Sequence, residues 1–274
     1  MKSRNWLIVV LAVCVLSAPM VVTGQTAITL GGNFWNASRD MSGDYYEGLE
    51  SESSSMFGPY LNLRMGNIII GGSMFLGTFT ESSEDNDVYE VDMKRKDINL
   101  SIGLSLSRNV NVFFAMKKLT GEGTTDVEIP YYHFYYGWYY IYYWVDMLEG
   151  EVEYKEDGTL YGGGLSGVIP FSQSSFFIYW SGAYLSGTRT FTTTYSIQGV
   201  DDPEPTEFDP KTTLFAYSVG VGYQISPTLS LLVGYRSDSI SSEWEPEGWD
   251  ETVDAKDKYS GISATLAYTI RTVK

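Results

Sequence analysis

Apolar and small polar residues alternate along this chain in a pattern that predicts β-strands. Residues 98–107 show the alternation most clearly, and residues 213–225 and 259–271 repeat it. In these segments, every other residue is usually large and apolar, and the residues between are mainly Gly, Ser, Thr, Ala, Asn or Gln. Such alternation is typical of a strand with one apolar face. We predict ten strands, at residues 26–37, 56–64, 68–79, 98–107, 110–120, 159–168, 174–187, 213–225, 228–237 and 259–271.

Short turns and long loops join these segments in alternation. The short turns, at residues 65–67, 107–109, 170–173 and 226–228, contain Gly, Asn, Ser and Pro, which favour tight turns. The long loops cover about 38–55, 80–97, 121–158, 188–212 and 238–258. Because the number of strands is even, both chain ends finish on the short-turn side, as in single-chain barrels of the outer membrane.

Acidic residues are confined to the long loops. All 34 Asp and Glu residues lie there, whereas the short-turn side carries Arg64 and Arg108, and the chain end Arg271 and Lys274. A wall that crosses hydrocarbon excludes charge from its lipid face, and an open sheet edge would leave backbone groups unsatisfied there. We therefore predict an all-β fold: a ten-stranded antiparallel up-and-down transmembrane β-barrel with long acidic extracellular loops and short periplasmic turns.

The N-terminal 24 residues have the features of a secretory signal peptide. Lys2 and Arg4 precede an apolar run that is too short for a spanning helix, and cleavage is expected before Gln25. Residues 25–274 then form the barrel domain. Cys14, the chain's one cysteine, is lost with the signal, which excludes disulfides and thiolate sites. The net charge changes from -16 to -18, which excludes nucleic acid as a partner.

The final strand is similar to the C-terminal assembly signal of bacterial outer-membrane barrels, over residues 259–268 (YSGISATLAY). With the signal peptide, the hairpin meander and the short turns, it makes the chain resemble a small bacterial outer-membrane β-barrel protein. The chain departs from that pattern at residues 270–274, which continue without a terminal aromatic residue. The resemblance implies location in the bacterial outer membrane, contact with its lipids and lipopolysaccharide, and recognition by the barrel-insertion machinery during biogenesis. It leaves the activity open.

An aromatic cluster lies in the middle of the longest acidic loop, residues 121–158. Between residues 131 and 144, 11 of 14 residues are aromatic: Tyr131, Tyr132, Phe134, Tyr135, Tyr136, Trp138, Tyr139, Tyr140, Tyr142, Tyr143 and Trp144. Tyr combines a large apolar body with a polar tip, which suits binding surfaces. The cluster is thus a candidate site for a partner protein, a glycan or lipopolysaccharide. Alternatively, the two strands continue as a hairpin with residues 136–138 near its tip, or the segment folds inward as a plug.

Large or charged residues at inward positions of the predicted strands are candidates for the barrel lumen: Arg64, Phe75, Phe113, Lys117 and Arg236. The three cations favour anions if the bore is open. Alternatively, each pairs with a carboxylate at the rim, as Arg236 would with Asp238.

The acidic loops also raise a metal hypothesis, at residues 85–87, 201–202 and 243–251. None matches a calcium-loop pattern, so we expect no metal and no cofactor. Catalysis is not expected either. Omptin proteases are ten-stranded barrels that rely on paired acids and an Asp-x-His unit, which this chain lacks. Its one histidine, His133, lies among tyrosines, and no G-x-S-x-G is present.

The sequence thus predicts a non-enzymatic barrel that presents acidic loops and the Tyr-rich loop to a partner with a basic face. A narrow porin-like diffusion channel is the first alternative. A barrel subunit of a larger envelope assembly is the second.

Overall fold

The computed structural model describes residues 26–43, 49–83, 90–136, 141–197, 205–245 and 252–272. The predicted signal peptide and Cys14 lie outside these residues. The described chain forms twelve strands: β1 (Thr26–Ser42), β2 (Leu49–Ser51), β3 (Ser54–Met65), β4 (Ile68–Ser83), β5 (Glu90–Ser105), β6 (Val110–Tyr136), β7 (Ile141–Pro170), β8 (Phe176–Ile197), β9 (Thr206–Phe208), β10 (Lys211–Gln224), β11 (Leu229–Trp244) and β12 (Val253–Thr272). No helix long and apolar enough to cross a membrane occurs in the described part of the chain.

The strands close into one antiparallel barrel. Apart from the short strands β2 and β9, each strand pairs with the strands before and after it in the chain; β1 pairs with both β12 and β3, and β10 pairs with both β11 and β8. The short strand β9 pairs with β8 in the same register as β10 and so extends β10 beyond the interruption at residues 209–210. The short strand β2 pairs with β4 beyond β3, in a register shifted by one residue from that of β3. The wall of the described chain therefore has ten strands, which confirms the predicted fold.

The alternation of the sequence determines which side of each strand faces outward. On β5, Leu100 and Ile102 are 48% and 43% exposed, whereas Asn99 and Ser101, which alternate with them, line the bore. We call the outward-facing large apolar side chains of the wall the apolar belt: Ile28, Leu30, Phe34, Phe57, Leu61, Ile70, Leu76, Leu100, Ile102, Tyr161, Leu165, Ile169, Phe176, Tyr184, Phe215, Tyr217, Val219, Val221, Tyr223, Leu231, Val233, Tyr235, Ile262, Leu266, Tyr268 and Ile270. An apolar band on the outside of a closed barrel fits the hydrocarbon of a bilayer.

The strands are much longer than the sequence pattern predicts. β6 has 27 residues and β7 has 30, so the predicted loop at 121–158 consists largely of paired strands. Parts of the other four predicted loops are strand as well: the ends of β1, β4, β8 and β11 and the beginnings of β5 and β12. The sequence pattern predicts loops at these parts because they carry charge. Charge is excluded only from strand faces that contact lipid, so strands can continue where they do not contact lipid.

The predicted strand at 174–187, where both faces carry aromatic residues, is part of β8. Its rings point both ways, because Phe176 and Tyr184 belong to the apolar belt whereas Phe177 and Tyr179 line the bore. The bore is therefore filled more densely than an interior of Gly, Ser, Thr and Asn would be.

Candidate functional site

Two chains of ion pairs cross the bore of the barrel. The first connects three cations and two carboxylates in the order Arg95, Asp97, Lys117, Asp238 and Arg236. Arg95 Nε donates to Asp97 Oδ1 at 2.9 Å, and Lys117 Nζ lies 2.9 Å from Asp97 Oδ2. Lys117 also donates to Asp238, which accepts a second bond, of 2.8 Å, from Arg236 Nη2. Because both carboxylates lie between two cations, their burial is compensated.

The second chain has the opposite order of charges: Glu81, Arg39, Asp257, Arg189 and Glu156. Arg39 contacts Glu81 and donates from Nη2 to Asp257 Oδ1 at 2.7 Å. Arg189 Nη1 donates to Asp257 Oδ2 at 2.6 Å, and its Nε donates to Glu156 Oε1 at 2.8 Å. The first chain thus carries one net positive charge and the second one net negative charge.

Aromatic rings lie against the cations of both chains. The Arg95 guanidinium carbon lies 3.8 Å from the centroid of the Tyr259 ring, and that of Arg39 lies 5.5 Å from it. Arg236 lies over Trp35 and Phe75, at 4.6 and 4.7 Å from their centroids. Cation–π contacts are strongest where water is excluded. We call this layer the septum: the two ion-pair chains together with Trp35, Phe75 and Tyr259.

The septum closes the bore near the outer edge of the apolar belt. All its members except Arg236 are buried, and apolar residues fill the space around them: Ala37, Met56, Phe79, Leu119, Leu160, Leu185, Leu214 and Ile240. The belt on β12 ends at Ile262, and Asp257 lies five residues, or roughly 16 Å of strand, beyond it. Burial disfavours the charged carboxylate, but contacts with Arg39 and Arg189 hold the pKa of Asp257 well below its ordinary value.

A cavity of about 660 Å³ lies in the bore on the short-turn side of the septum. Lys117, Arg236 and Asp238 lie at one end of it. At the other end it reaches Asn111 and Ser230, each the second residue of its strand and therefore close to a short turn. The cavity is thus a blind pocket, closed by the septum and directed toward the short-turn end.

The β6–β7 hairpin is the longest paired element of the wall. Its register runs without interruption from Val110↔Gly167 to Tyr136↔Ile141. The neighbouring strands end earlier, because β5 pairs with β6 only as far as Glu122 and β8 with β7 only as far as Gly150 in the described chain. Near the base of the projecting part, Asp126 and Glu151 are exposed and lie directly opposite each other.

The residues of the predicted aromatic site fall on this hairpin. The backbone of 131–136 and 141–144 continues the β6–β7 ladder, which is the predicted hairpin alternative, whereas Trp138, Tyr139 and Tyr140 lie outside the described residues. The side chains of 128–148 are likewise outside the described part, and His133 is among them. The loop segments at 85–87, 201–202 and 246–251 are also not described.

The three predicted lumen cations are placed differently. Lys117 and Arg236 both belong to the septum, and Arg236 pairs with Asp238. Arg64 is exposed at the short-turn end, where its Nε donates to the carbonyl of Gly66 at 3.2 Å. It is therefore not a residue of the septum. Of the two lumen rings, Phe75 is part of the septum and Phe113 lines the cavity.

Sequence reasoning missed most of the septum. The sequence pattern places Asp97, Asp257, Arg39 and Arg189 in the predicted loops, and it indicates no role for Tyr259 beyond the last strand. One available signal was periodicity, because Asp97 occupies the same face as Asn99 and Ser101 on β5. Extending the two-residue period into the acidic segments would have directed these side chains inward.

Comparisons with known proteins identify the fold. No family model and no curated protein matches the chain. Among solved structures, the outer membrane protease OmpT from Escherichia coli is similar, with 13% identity, a TM-score of 0.51, and coverage of 93% of this chain and 99% of that one. A Pseudomonas aeruginosa FadL homologue (9% identity, TM-score 0.40, 90% of each chain) and the translocator domain of NalP from Neisseria meningitidis (12%, 0.37, 96% and 95%) are less similar. At such identities only the fold is shared, and this chain has the closed antiparallel fold of bacterial outer-membrane β-barrel proteins.

Proposed function

We propose that this protein is a non-enzymatic barrel of the bacterial outer membrane that presents the β6–β7 hairpin to a partner at the cell surface. The observation that carries the proposal is the length of the β6–β7 ladder. A tilted strand needs about 9–11 residues to cross a bilayer, and β6 has 27. The remaining residues extend the ladder beyond the last residues that pair with β5 and β8 in the described chain, and the aromatic residues at 131–136 and 141–144 lie on this extension.

The surroundings of the hairpin favour a partner protein with a basic face. Asp126, Glu149 and Glu151 are exposed near its base. Like charges directly opposite each other on paired strands are unfavourable, and a basic partner would relieve this repulsion. The negative field would also accelerate the approach of such a partner. A glycan or lipopolysaccharide would instead use mainly the aromatic rings.

The septum argues against the porin-like alternative. Solute diffusion needs a continuous aqueous path, and buried ion pairs and apolar side chains fill the bore at the level of the septum. The same ion pairs support the non-enzymatic assignment. Each carboxylate of the septum contacts at least one Arg or Lys, so no pair of free acids is present among its members.

Replacing the eight tyrosines of the 131–144 segment with serine tests the proposal: Tyr131, Tyr132, Tyr135, Tyr136, Tyr139, Tyr140, Tyr142 and Tyr143. Tyr195→Ser is the matched control, because Tyr195 is 38% exposed on β8 and lies outside that segment. We expect partner recovery by cross-linking on intact cells to fall only in the hairpin variant. Equal recovery from both variants would remove the basis of the proposal.

The same cross-linking experiment distinguishes the partner classes. A protein partner with a basic face should be lost as salt rises, because exposed charges are screened beyond about 10 Å at 0.1 M ionic strength. A product sensitive to protease identifies a protein, and one that persists in cells with truncated lipopolysaccharide excludes that glycolipid. Co-purification of a stoichiometric second barrel or lipoprotein in mild detergent would instead indicate a subunit of an envelope assembly.

A further inference from the structure

Arg236 presents one unused side of its guanidinium group to the cavity. Its Nε and Nη2 donate to the two carboxylate oxygens of Asp238, at 3.2 and 2.8 Å. Its Nη1 has no hydrogen-bond partner among the described residues, and the side chain, 18% exposed, lines the cavity. The rings of Trp35 and Phe75 hold the group in place. Arg236 is therefore a fixed donor directed at an open space.

The charged groups that line the blind end of the cavity include more cations than carboxylates. Lys117, Arg236 and Asp238 of the first ion-pair chain line it, whereas the third cation of that chain lies against the ring of Tyr259. The chain of Arg39, Asp257 and Arg189 has the opposite imbalance. Lys117 and Arg236 neutralise Asp238. The blind end of the cavity therefore has a positive potential, which a low-dielectric wall strengthens.

The walls of the cavity combine polar groups with a larger share of apolar side chains, among them Phe113, Phe177 and Leu232. Hydroxyl and amide groups from different strands line it, including those of Asn99, Ser101, Ser166 and Tyr179. Its volume of about 660 Å³ is within the range of small-molecule sites, roughly 300–1,000 Å³. Because hydrogen-bonded strands close the wall on all sides, a ligand can enter the cavity only from the short-turn end.

We propose that this cavity binds a small soluble oxyanion, a carboxylate or phosphate compound with a partly apolar body, through Arg236. The ligand reaches the cavity from the short-turn side and accepts hydrogen bonds from Nη1, while the hydroxyl, amide and apolar groups of the walls contact the rest of the molecule. A guanidinium group matches the geometry of carboxylate and phosphate oxygens better than an ammonium group does. The site lies on the opposite side of the septum from the β6–β7 hairpin and does not depend on the hairpin's partner.

Inorganic phosphate and acetate are the probes for a binding test on the mature chain, folded in zwitterionic micelles. Titration calorimetry and phosphorus NMR line broadening should show saturable binding of one phosphate per chain above a chloride reference of equal ionic strength. Arg236→Lys keeps the charge but loses the fork of nitrogens, so we expect phosphate to bind about tenfold more weakly than in wild type. Lys118→Met, on the outward face of β6, should leave binding unchanged.

Ser101→Leu provides a second test that leaves the septum intact. The added side chain occupies part of the cavity at the level of Ala115, between its short-turn end and Arg236, so phosphate and acetate binding should weaken although the barrel still folds. If Arg236→Lys does not fold, this variant decides the question. Absence of saturation in the wild type, or equal affinity in wild type, Arg236→Lys and Ser101→Leu, would show an adventitious ion only and overturn the proposal.

Discussion

Replacing Lys117 with Met should destabilise the barrel far more than the same change at the next residue. Lys117 Nζ lies between Asp97, at 2.9 Å, and Asp238, and its side chain is 3% exposed. Lys118 points outward from the same strand and lies 3.0 Å from Asp157, with the two side chains 41% and 59% exposed. The two variants therefore remove the same charge from one strand, once inside the bore and once outside it.

The expected difference follows from the environment of the two ammonium groups. At an effective dielectric constant of 20, two unit charges separated by about 3 Å attract by roughly 6 kcal/mol, of which the desolvation of the buried ammonium cancels a large part. Removing one partner of a buried pair costs about 3–5 kcal/mol. Because Arg95 and Arg236 still contact the two carboxylates, we expect about 3 kcal/mol for Lys117→Met. An exposed pair contributes less than about 1 kcal/mol.

Urea unfolding of the refolded protein in lipid vesicles, followed by far-ultraviolet circular dichroism, measures both free energies of unfolding. Lys117→Met should lower the midpoint, and Lys118→Met should stay close to wild type. Losses of equal size in the two variants would refute the buried network as a source of stability. A fully stable Lys117→Met barrel would do the same.

Three further outcomes are expected. The pKa of Asp257 is lowered in the folded state, so its contribution to stability is complete above its ordinary pKa of about 4 and is lost as the pH falls below that value. In unfolding series from pH 7 to pH 3, the free energy of unfolding should therefore fall less in Asp257→Asn than in wild type. A Cβ atom at Gly162 would clash with the carbonyl oxygen of Tyr184, whereas one at Gly182 would meet no described atom within 4 Å. Gly162→Ala should therefore cost about 1–3 kcal/mol in the same urea assay, and Gly182→Ala less than about 0.5 kcal/mol. Planar bilayers containing the wild-type protein should show no steady current, because the septum closes the bore, and a sustained open conductance would contradict that.

The septum illustrates how far sequence reasoning reaches into the candidate site. The pair Arg236–Asp238 was predictable, because two residues on the same face of one strand are neighbours. The pair Arg39–Asp257 joins residues 218 positions apart, and Lys117–Asp238 joins residues 121 apart. Such pairs exist only after the barrel has closed, so no local pattern in the chain indicates them.

The β6–β7 hairpin shows a similar division. The aromatic cluster at 131–144 was evident from the sequence, and a continued hairpin was one of its predicted alternatives. Its length could not be predicted, because the acidic residues between 121 and 158 are typical of loops. In the structure, exposed carboxylates such as Glu149 and Glu151 lie on paired strands beyond the apolar belt, where strands meet water and can carry charge.

The sequence by itself determined the wall of this protein: ten strands, their order, the short turns and the face of each strand that contacts lipid. These features follow from a two-residue period and from turn residues, which act over a few positions of the chain. Only the tertiary structure decided what fills the bore. Charges such as Asp238 and Asp257 are costly when they are buried alone. Barrel closure brings Arg39 of β1 to Asp257 of β12 and Lys117 of β6 to Asp238 of β11, and these cations compensate the burial.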